Sequence, residues 1–161
     1  MLSGTQRSFT SLARLASWRD ELRGRGLLTS DDLVVRHPGG RSGGEAGMAE
    51  LLRRGVAYTA VVCTNDLIAV GAMHTLHLAG RDVPGDVSVV GFGGYENVSP
   101  PGKPLTTIAE DYREIGRQAG ELLLARIGGV PGREHRIVPT HLVVGQTTAP
   151  VATSHRRLLL A

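Results

Sequence analysis

The stretch TAVVCTND, residues 59–66, decides the fold because it joins a continuous apolar run to residues that cap helices. Such a run is typical of a strand buried on both faces of a parallel sheet. Asn65 or Asp66 can cap a helix over residues 67–79. A second apolar strand follows at residues 87–92. A strand, a helix and a strand with short connections predict a parallel α/β sheet.

Weaker patterns extend this prediction in both directions along the chain. Apolar residues recur at three- and four-residue spacing in further segments, which predicts helices at 11–24, 45–54 and 110–127. Short apolar runs add strand candidates at 33–35, 105–108, 137–138 and 141–144. Residues 37–44 contain one proline and four glycines, so we expect a loop there.

Composition excludes several classes of protein. The chain has 161 residues, 41% hydrophobic and 20% charged, which is ordinary for one globular domain. Cys63 is the single cysteine, which excludes an internal disulfide framework, and we expect neither a metal nor a cofactor. The net charge of +3 comes from arginines dispersed among acidic residues, a pattern that does not favour direct DNA binding. No secretory pattern opens the sequence and no long apolar run follows, so we expect a cytoplasmic protein without membrane contact.

Candidate binding residues lie where the predicted strands end, since open parallel sheets bind ligands beyond the carboxyl ends of their strands. Asn65 carries an amide suited to a hydroxyl-rich ligand, and is equally explained as a helix cap. Gly93 and Gly94 would admit a ligand to the backbone or form a tight turn. Arg14 can donate to vicinal hydroxyls or a carboxylate, or be a solvated surface residue, and Trp18 is either core or a ligand platform.

No catalytic constellation stands out. The sequence contains no Walker loop, no Gly-x-Ser-x-Gly motif and no His-Glu-x-x-His motif. His74 and His77 share a helix face without a third ligand, so we expect them to face solvent. Cys63 lies inside an apolar strand, which indicates an inert packing thiol. We therefore expect a protein that is not an enzyme.

Six segments follow one another along the chain: Leu2-Ser-Gly, Arg14-Leu-Ala-Ser-Trp18, TAVVCTNDLIAVG at 59–71, GRDVPGDVSVVGF at 80–92, PLTTI at 104–108 and the helix at 115–129. In this order and spacing they resemble the LacI/GalR family of bacterial transcriptional regulators. The resemblance covers residues 1–148. It implies the carboxyl-terminal part of an effector-binding domain of the periplasmic-binding-protein-like type I. That fold is α/β with a doubly wound parallel sheet, and here we expect it to be incomplete and to consist mainly of the second subdomain.

The resemblance also implies a division of the chain. Residues 1–110 correspond to the carboxyl-terminal effector-binding subdomain, and residues 111–140 to a portion of the amino-terminal subdomain, the rest of which is missing. Residues 141–150 form a return strand, and residues 151–161 a disordered tail. We expect the helix within 111–140 and the pair Ile137-Val138 to leave an apolar face unsupported.

The function implied is the ligand-sensing portion of a LacI-type DNA-binding repressor, which binds a sugar or similar small metabolite. It would reach operator DNA only through an amino-terminal helix-turn-helix that this chain lacks. The alternative is a small-molecule-binding or dimerisation module without DNA binding, left from a decayed regulator. The effector contacts expected from the resemblance and the strand-end positions are Arg14, Trp18, Asn65, Gly93 and Tyr112.

Two further expectations concern the ligand and the subunit contact. Where the family commonly has Gly-Phe-Asp-Asp, this chain has Gly-Phe-Gly-Gly at 91–94, which removes a charged acceptor and argues against a sugar bound in the usual way. The family commonly forms homodimers, and the resemblance places the interface on apolar residues that are equally explained as core: Met48, Leu51, Met73 and Leu76.

Overall fold

The computed structural model describes residues 1–4, 8–27, 29–100 and 102–151. Its helices are α1 (Phe9–Gly24), α2 (Gly40–Arg54), α3 (Asp66–Leu78) and α4 (Tyr112–Ile127). Its strands are β1 (Leu2–Ser3), β2 (Val35–Arg36), β3 (Ala60–Val62), β4 (Ser88–Gly93), β5 (Thr106–Ala109) and β6 (His141–Val143). Apart from Val151, the tail predicted at 151–161 lies outside the described residues.

The strands form two parallel groups joined by one bridge. Strand β1 pairs in parallel with β2, and β3, β4 and β5 pair in parallel in that order. The bridge between Leu2 and Cys63 connects the groups, and the Thr64 amide donates to the Leu2 carbonyl at 3.0 Å. Strand β6 is antiparallel to β5 at the edge. The predicted parallel α/β sheet is therefore confirmed, and the carboxyl ends of β1, β3, β4 and β5 lie along one rim.

The core lies between this sheet and the helices α2 and α3. Strands β3 and β4 are buried at Val61 and Val89, as expected for apolar runs with neighbours on both sides. The four residues proposed for a dimer contact belong to the same cluster, with exposed fractions from 0% to 6%: Met48, Leu51, Met73 and Leu76. These side chains thus belong to the core of the chain, and a role for them in a subunit contact stays a prediction.

The prediction of a loop over residues 37–44 is wrong from Gly40 onward, because α2 begins there. Glycine has a low intrinsic helix propensity, but tertiary contact overrides it here. A Cβ atom placed on Gly44 would lie 2.2 Å from the Ile68 carbonyl oxygen. A Cβ atom on Gly71 would lie 2.1 Å from the Arg41 carbonyl oxygen. The two helices therefore touch through their main chains at positions that only glycine can occupy.

The end of the chain contrasts with this core. Helix α4 has no buried residue, and Leu124 and Ile127 on it are 69% and 75% exposed. This agrees with the expected unsupported apolar face. The strand predicted at residues 137–138 does not form, and Ile137 is 91% exposed, since no described strand pairs with it. None of the helices within the described ranges combines the length and the apolar character needed to cross a membrane.

Candidate functional site

Arg14 reaches from α1 across the rim of strand ends. Its Nη1 donates to the Thr64 carbonyl at 2.6 Å, and its Nη2 donates to Glu110 Oε1 at 2.9 Å. Its Cζ atom lies 3.3 Å from the centroid of the Phe92 ring, a cation–π contact. The side chains of Arg14 and Glu110 are both 24% exposed. Arg14 is therefore a fixed group that solvent can still reach, rather than a freely solvated surface residue.

Asn65 and Asp66 follow β3 and have different roles. Asn65 is the helix cap, because its Oδ1 accepts from the Ile68 amide at 2.8 Å, and its side chain is half-buried beside Thr64. Asp66 is 1% exposed, and its carboxylate accepts from the Thr107 hydroxyl at 2.6 Å and from the Tyr95 amide at 2.8 Å. Asp66 thus joins the start of α3 to β5 and to the loop after β4.

Gly93 and Gly94 have φ angles of 131° and 73°, where side chains are strained. A Cβ atom on Gly93 would lie 3.0 Å from Tyr95 Cε1 and 3.2 Å from Tyr112 Oη. The two tyrosine rings are 5.9 Å apart between centroids. The missing side chain at Gly93 therefore makes room for a pair of aromatic rings.

Glu110 is held between β4 and α4. Its amide donates to the Gly93 carbonyl at 3.1 Å, and its carbonyl accepts from the Tyr112 amide at 3.1 Å. Desolvation of the phenol, its hydrogen bond with Glu110 and the charge of that carboxylate raise the pKa of Tyr112. The phenol therefore stays protonated and can serve as a donor near neutral pH.

The structure brings four of the five predicted effector contacts to the rim of strand ends, namely Arg14, Asn65, Gly93 and Tyr112. It places Trp18 elsewhere: the ring packs against Met1, Leu15 and Val34 and lines an apolar cavity of about 430 Å³ near the amino end of β3. The sequence prediction missed Glu110 and Tyr95. Glu110 directly follows β5, so the strand-end rule that selected Asn65 would also have found it.

The remaining candidates are two histidines and the cysteine. His74 and His77 are exposed as expected, and His74 Nδ1 lies 3.0 Å from Glu45 Oε1. Burial raises the pKa of the Cys63 thiol to about 12, so the thiol is protonated and inert near neutral pH. Within the described ranges no three His, Cys, Asp or Glu side chains are grouped so as to hold a metal ion.

Comparison with known proteins identifies the family. Residues 1–148 match the model of the periplasmic binding protein-like domain. The chain is 40% identical over 145 residues to the HTH-type transcriptional regulator GalR of Salmonella typhimurium strain SL1344, covering 88% of this chain and 42% of that protein.

Two solved structures are similar. One is the transcriptional regulator CelR–cellobiose complex, with TM-score 0.84, 31% identity and coverage of 91% of this chain and 45% of that one. The other is the lac repressor dimer bound to operator and the anti-inducer ONPF, with TM-score 0.81, 30% identity and coverage of 91% and 51%. The chain spans about half the length of these relatives or less. It belongs to the LacI/GalR family, as a carboxyl-terminal part of the periplasmic-binding-protein-like effector-binding domain.

Proposed function

We propose that this chain senses a sugar or a similar small metabolite on behalf of a LacI-type transcriptional repressor. The observation that carries the proposal is the group of side chains at the carboxyl ends of β3, β4 and β5. This is where open parallel sheets bind their ligands. The named relatives support it, since one was solved with cellobiose and another with operator DNA and an anti-inducer.

The chemistry of the group suits a ligand rich in hydroxyls. The Arg14 guanidinium offers N–H donors, and the Glu110 carboxylate offers acceptor oxygens. Asn65 adds an amide at the same rim. Tyr95 and Tyr112 supply apolar faces with a polar end, as sugar rings require. In this proposal Glu110 provides the carboxylate that the Gly-Phe-Gly-Gly sequence at 91–94 omits.

The remaining parts of the repressor belong to the same proposal. Residues 111–140 would pack within the family's amino-terminal subdomain, which would cover the exposed side of α4. Operator binding would come from a helix-turn-helix outside this chain, the assembly would be a homodimer and the setting would be cytoplasmic. The resemblance supports these points, and one of the similar structures is a dimer bound to operator.

A titration with cellobiose tests the ligand site. We expect saturable shifts of the Gly93, Gly94 and Asn65 amide signals in a two-dimensional ¹H–¹⁵N spectrum. The variant Arg14→Gln should weaken the apparent affinity about tenfold, since it removes a charge-assisted donor. The matched control is Arg23→Gln, which removes the same charge in the last turn of the same helix. The Arg23 side chain is 62% exposed.

Three results would count against the ligand proposal. One is the absence of saturable shifts with cellobiose, galactose and lactose. A second is a set of shifts confined to residues away from the rim. The third is an equal effect of Arg14→Gln and Arg23→Gln on the affinity.

Selection from random DNA duplexes tests whether this chain binds DNA by itself. We expect this chain alone to enrich no sequence, because several of its described arginines are paired with acidic residues and are spread over α1, α2 and α4. Reproducible enrichment of a single operator-like sequence by this chain would overturn that part of the proposal.

A further inference from the structure

We infer that Glu110 restricts the strand-end site to uncharged, hydroxyl-bearing ligands and excludes anionic ones such as sugar phosphates and sugar acids. The inference rests on the proposed function, since it concerns the same site. It goes further because it names the residue that determines specificity and states that ligands with a negative charge are excluded.

The starting observation is that the Arg14 guanidinium already has an anionic partner. Glu110 Oε1 lies 2.9 Å from Nη2, while Nη1 is taken by the Thr64 carbonyl and the Phe92 ring covers one face of the guanidinium. Free Arg14 would be a strong bidentate site for a carboxylate or a phosphate. With Glu110 in place, the positive charge is balanced before any ligand arrives.

The Glu110 carboxylate is held beside Arg14 by the hydrogen bond from Nη2, and the backbone that carries it is also fixed. Its main chain is bonded on both sides, to the Gly93 carbonyl and to the Tyr112 amide. An anion that approaches Arg14 would therefore share the site with a second negative charge. Like charges brought this close disfavour binding, and the rim is only partly open to screening solvent.

A neutral diol meets no such penalty. One hydroxyl oxygen can accept from an Arg14 N–H group while a neighbouring hydroxyl donates to Glu110, so that the ion pair presents a donor and an acceptor side by side. The Tyr112 phenol, which is hydrogen-bonded to Glu110, is neutral and adds no charge to the site. The site thus matches polyols in both hydrogen bonding and net charge.

The test uses inorganic sulfate as an anionic probe and the Arg14 Nε–Hε signal as the readout. Wild-type protein should show no saturable shift at moderate sulfate concentrations, with chloride at equal ionic strength as the reference. The isosteric variant Glu110→Gln should bind sulfate at least about tenfold more tightly than the wild type.

Two controls make the result specific. Glu96→Gln removes the same charge from an exposed loop residue and should behave like the wild type. The double variant Arg14→Gln/Glu110→Gln should lose the sulfate affinity gained by Glu110→Gln, read from the Gly93 and Gly94 amide signals. Equal sulfate affinity in wild type and Glu110→Gln would overturn the inference, and so would a failure of sulfate to bind Glu110→Gln.

A second titration separates this inference from the proposed function. Cellobiose and its uronic acid, oxidised at C6 of one ring, differ in charge at one carbon and both keep two pyranose rings. We expect the wild type to bind cellobiose alone and Glu110→Gln to gain affinity for the uronic acid. If no sugar binds but sulfate behaves as expected, the exclusion of anions stands and the sugar-sensing proposal fails.

Discussion

Helices α3 and α4 start in the same way and end in different surroundings. Asn65 caps α3 through the Ile68 amide, and Asp111 caps α4 through the Glu114 amide at 2.9 Å. Eight residues of α3 are buried, whereas none of α4 is. Local signals of equal quality therefore produce one helix held by the core and one held mainly by its own backbone and side chains.

Helix α4 relies on contacts along its own surface. Hydrogen bonds from Arg117 and Gln118 lower the pKa of Glu114 to about 2, so this carboxylate is ionised at neutral pH. Arg117 also pairs with Glu121. Exposed pairs of this kind contribute little to stability. The comparison shows that a helical pattern in a sequence specifies a helix but not the partner that buries it.

Hydrogen exchange should separate the two helices most strongly. We expect α3 amides to open only with global unfolding, at about 5 kcal/mol or more. Amides of α4 should exchange about a thousandfold faster, because a helix of this length without tertiary packing is marginal in water. Light scattering should first establish a monomer, and strong protection throughout 111–140 in that monomer would contradict the comparison.

Truncating one leucine in each helix should give the next largest difference. Leu76→Ala in α3 should lower the free energy of unfolding by about 3 kcal/mol, since Leu76 is fully buried and the change leaves a cavity. Leu124→Ala in α4 should change it by less than about 0.5 kcal/mol. Urea unfolding of both variants measures this, and equal losses would mean that α4 is packed in solution.

Replacing a glycine by alanine should lower the stability in α2 and raise it in α4. Gly44→Ala should destabilise the protein by about 2 kcal/mol, because its methyl group would collide with the Ile68 carbonyl of α3. Gly120→Ala in α4 meets no atom within 4 Å and should raise helix stability by about 0.5–1 kcal/mol. Thermal unfolding and helical circular dichroism report both effects, and a neutral Gly44→Ala would contradict the close contact.

Alkaline pH should produce the smallest effect. The Cys63 thiol has a pKa of about 12 in the fold against 9.0 when solvated, so the unfolded chain loses its proton first. Stability from this group is complete below pH 9 and declines as the pH rises toward 12. Between pH 8 and pH 10 the loss should be about 1 kcal/mol.

Matched chemical unfolding of Cys63→Ala at the two pH values isolates this contribution, because other titrating groups such as Tyr58 act in both proteins. A variant that loses as much stability as the wild type would show that the thiol is not responsible. Thiol labelling at pH 8 gives a second check, since Cys63 should react only as fast as the protein unfolds.

The sheet and most helices were predictable because their signals are local and repeated. Strands β3 and β4 are continuous apolar runs, and Asn65 lies where a cap is required. The start of α2 was not predictable, since four glycines indicate a loop until the approach of α3 is known. The pair at 137–138 has the composition of a strand and forms none in the described residues, because strand formation depends on a neighbour.

The sequence predicted which residues lie at the rim, but not which side chains contact one another there. Arg14, Asn65 and Gly93 followed from motifs and strand ends, but Glu110 and Tyr95 complete the site through contacts between segments far apart in sequence. Trp18 shares a helix with Arg14, yet its described contacts are with core residues. The direction of a side chain across the rim is a tertiary property.

The glycine contact between α2 and α3 limits how the spacing of these two helices can evolve. Main-chain atoms set the distance between the two helices. Substitutions of core side chains elsewhere therefore leave that distance unchanged. Asn65 and Asp66 lie at the start of α3, so the same contact fixes their position relative to α2. In the proposed function, single replacements along the rim would change the ligand preference without changing the spacing of α2 and α3.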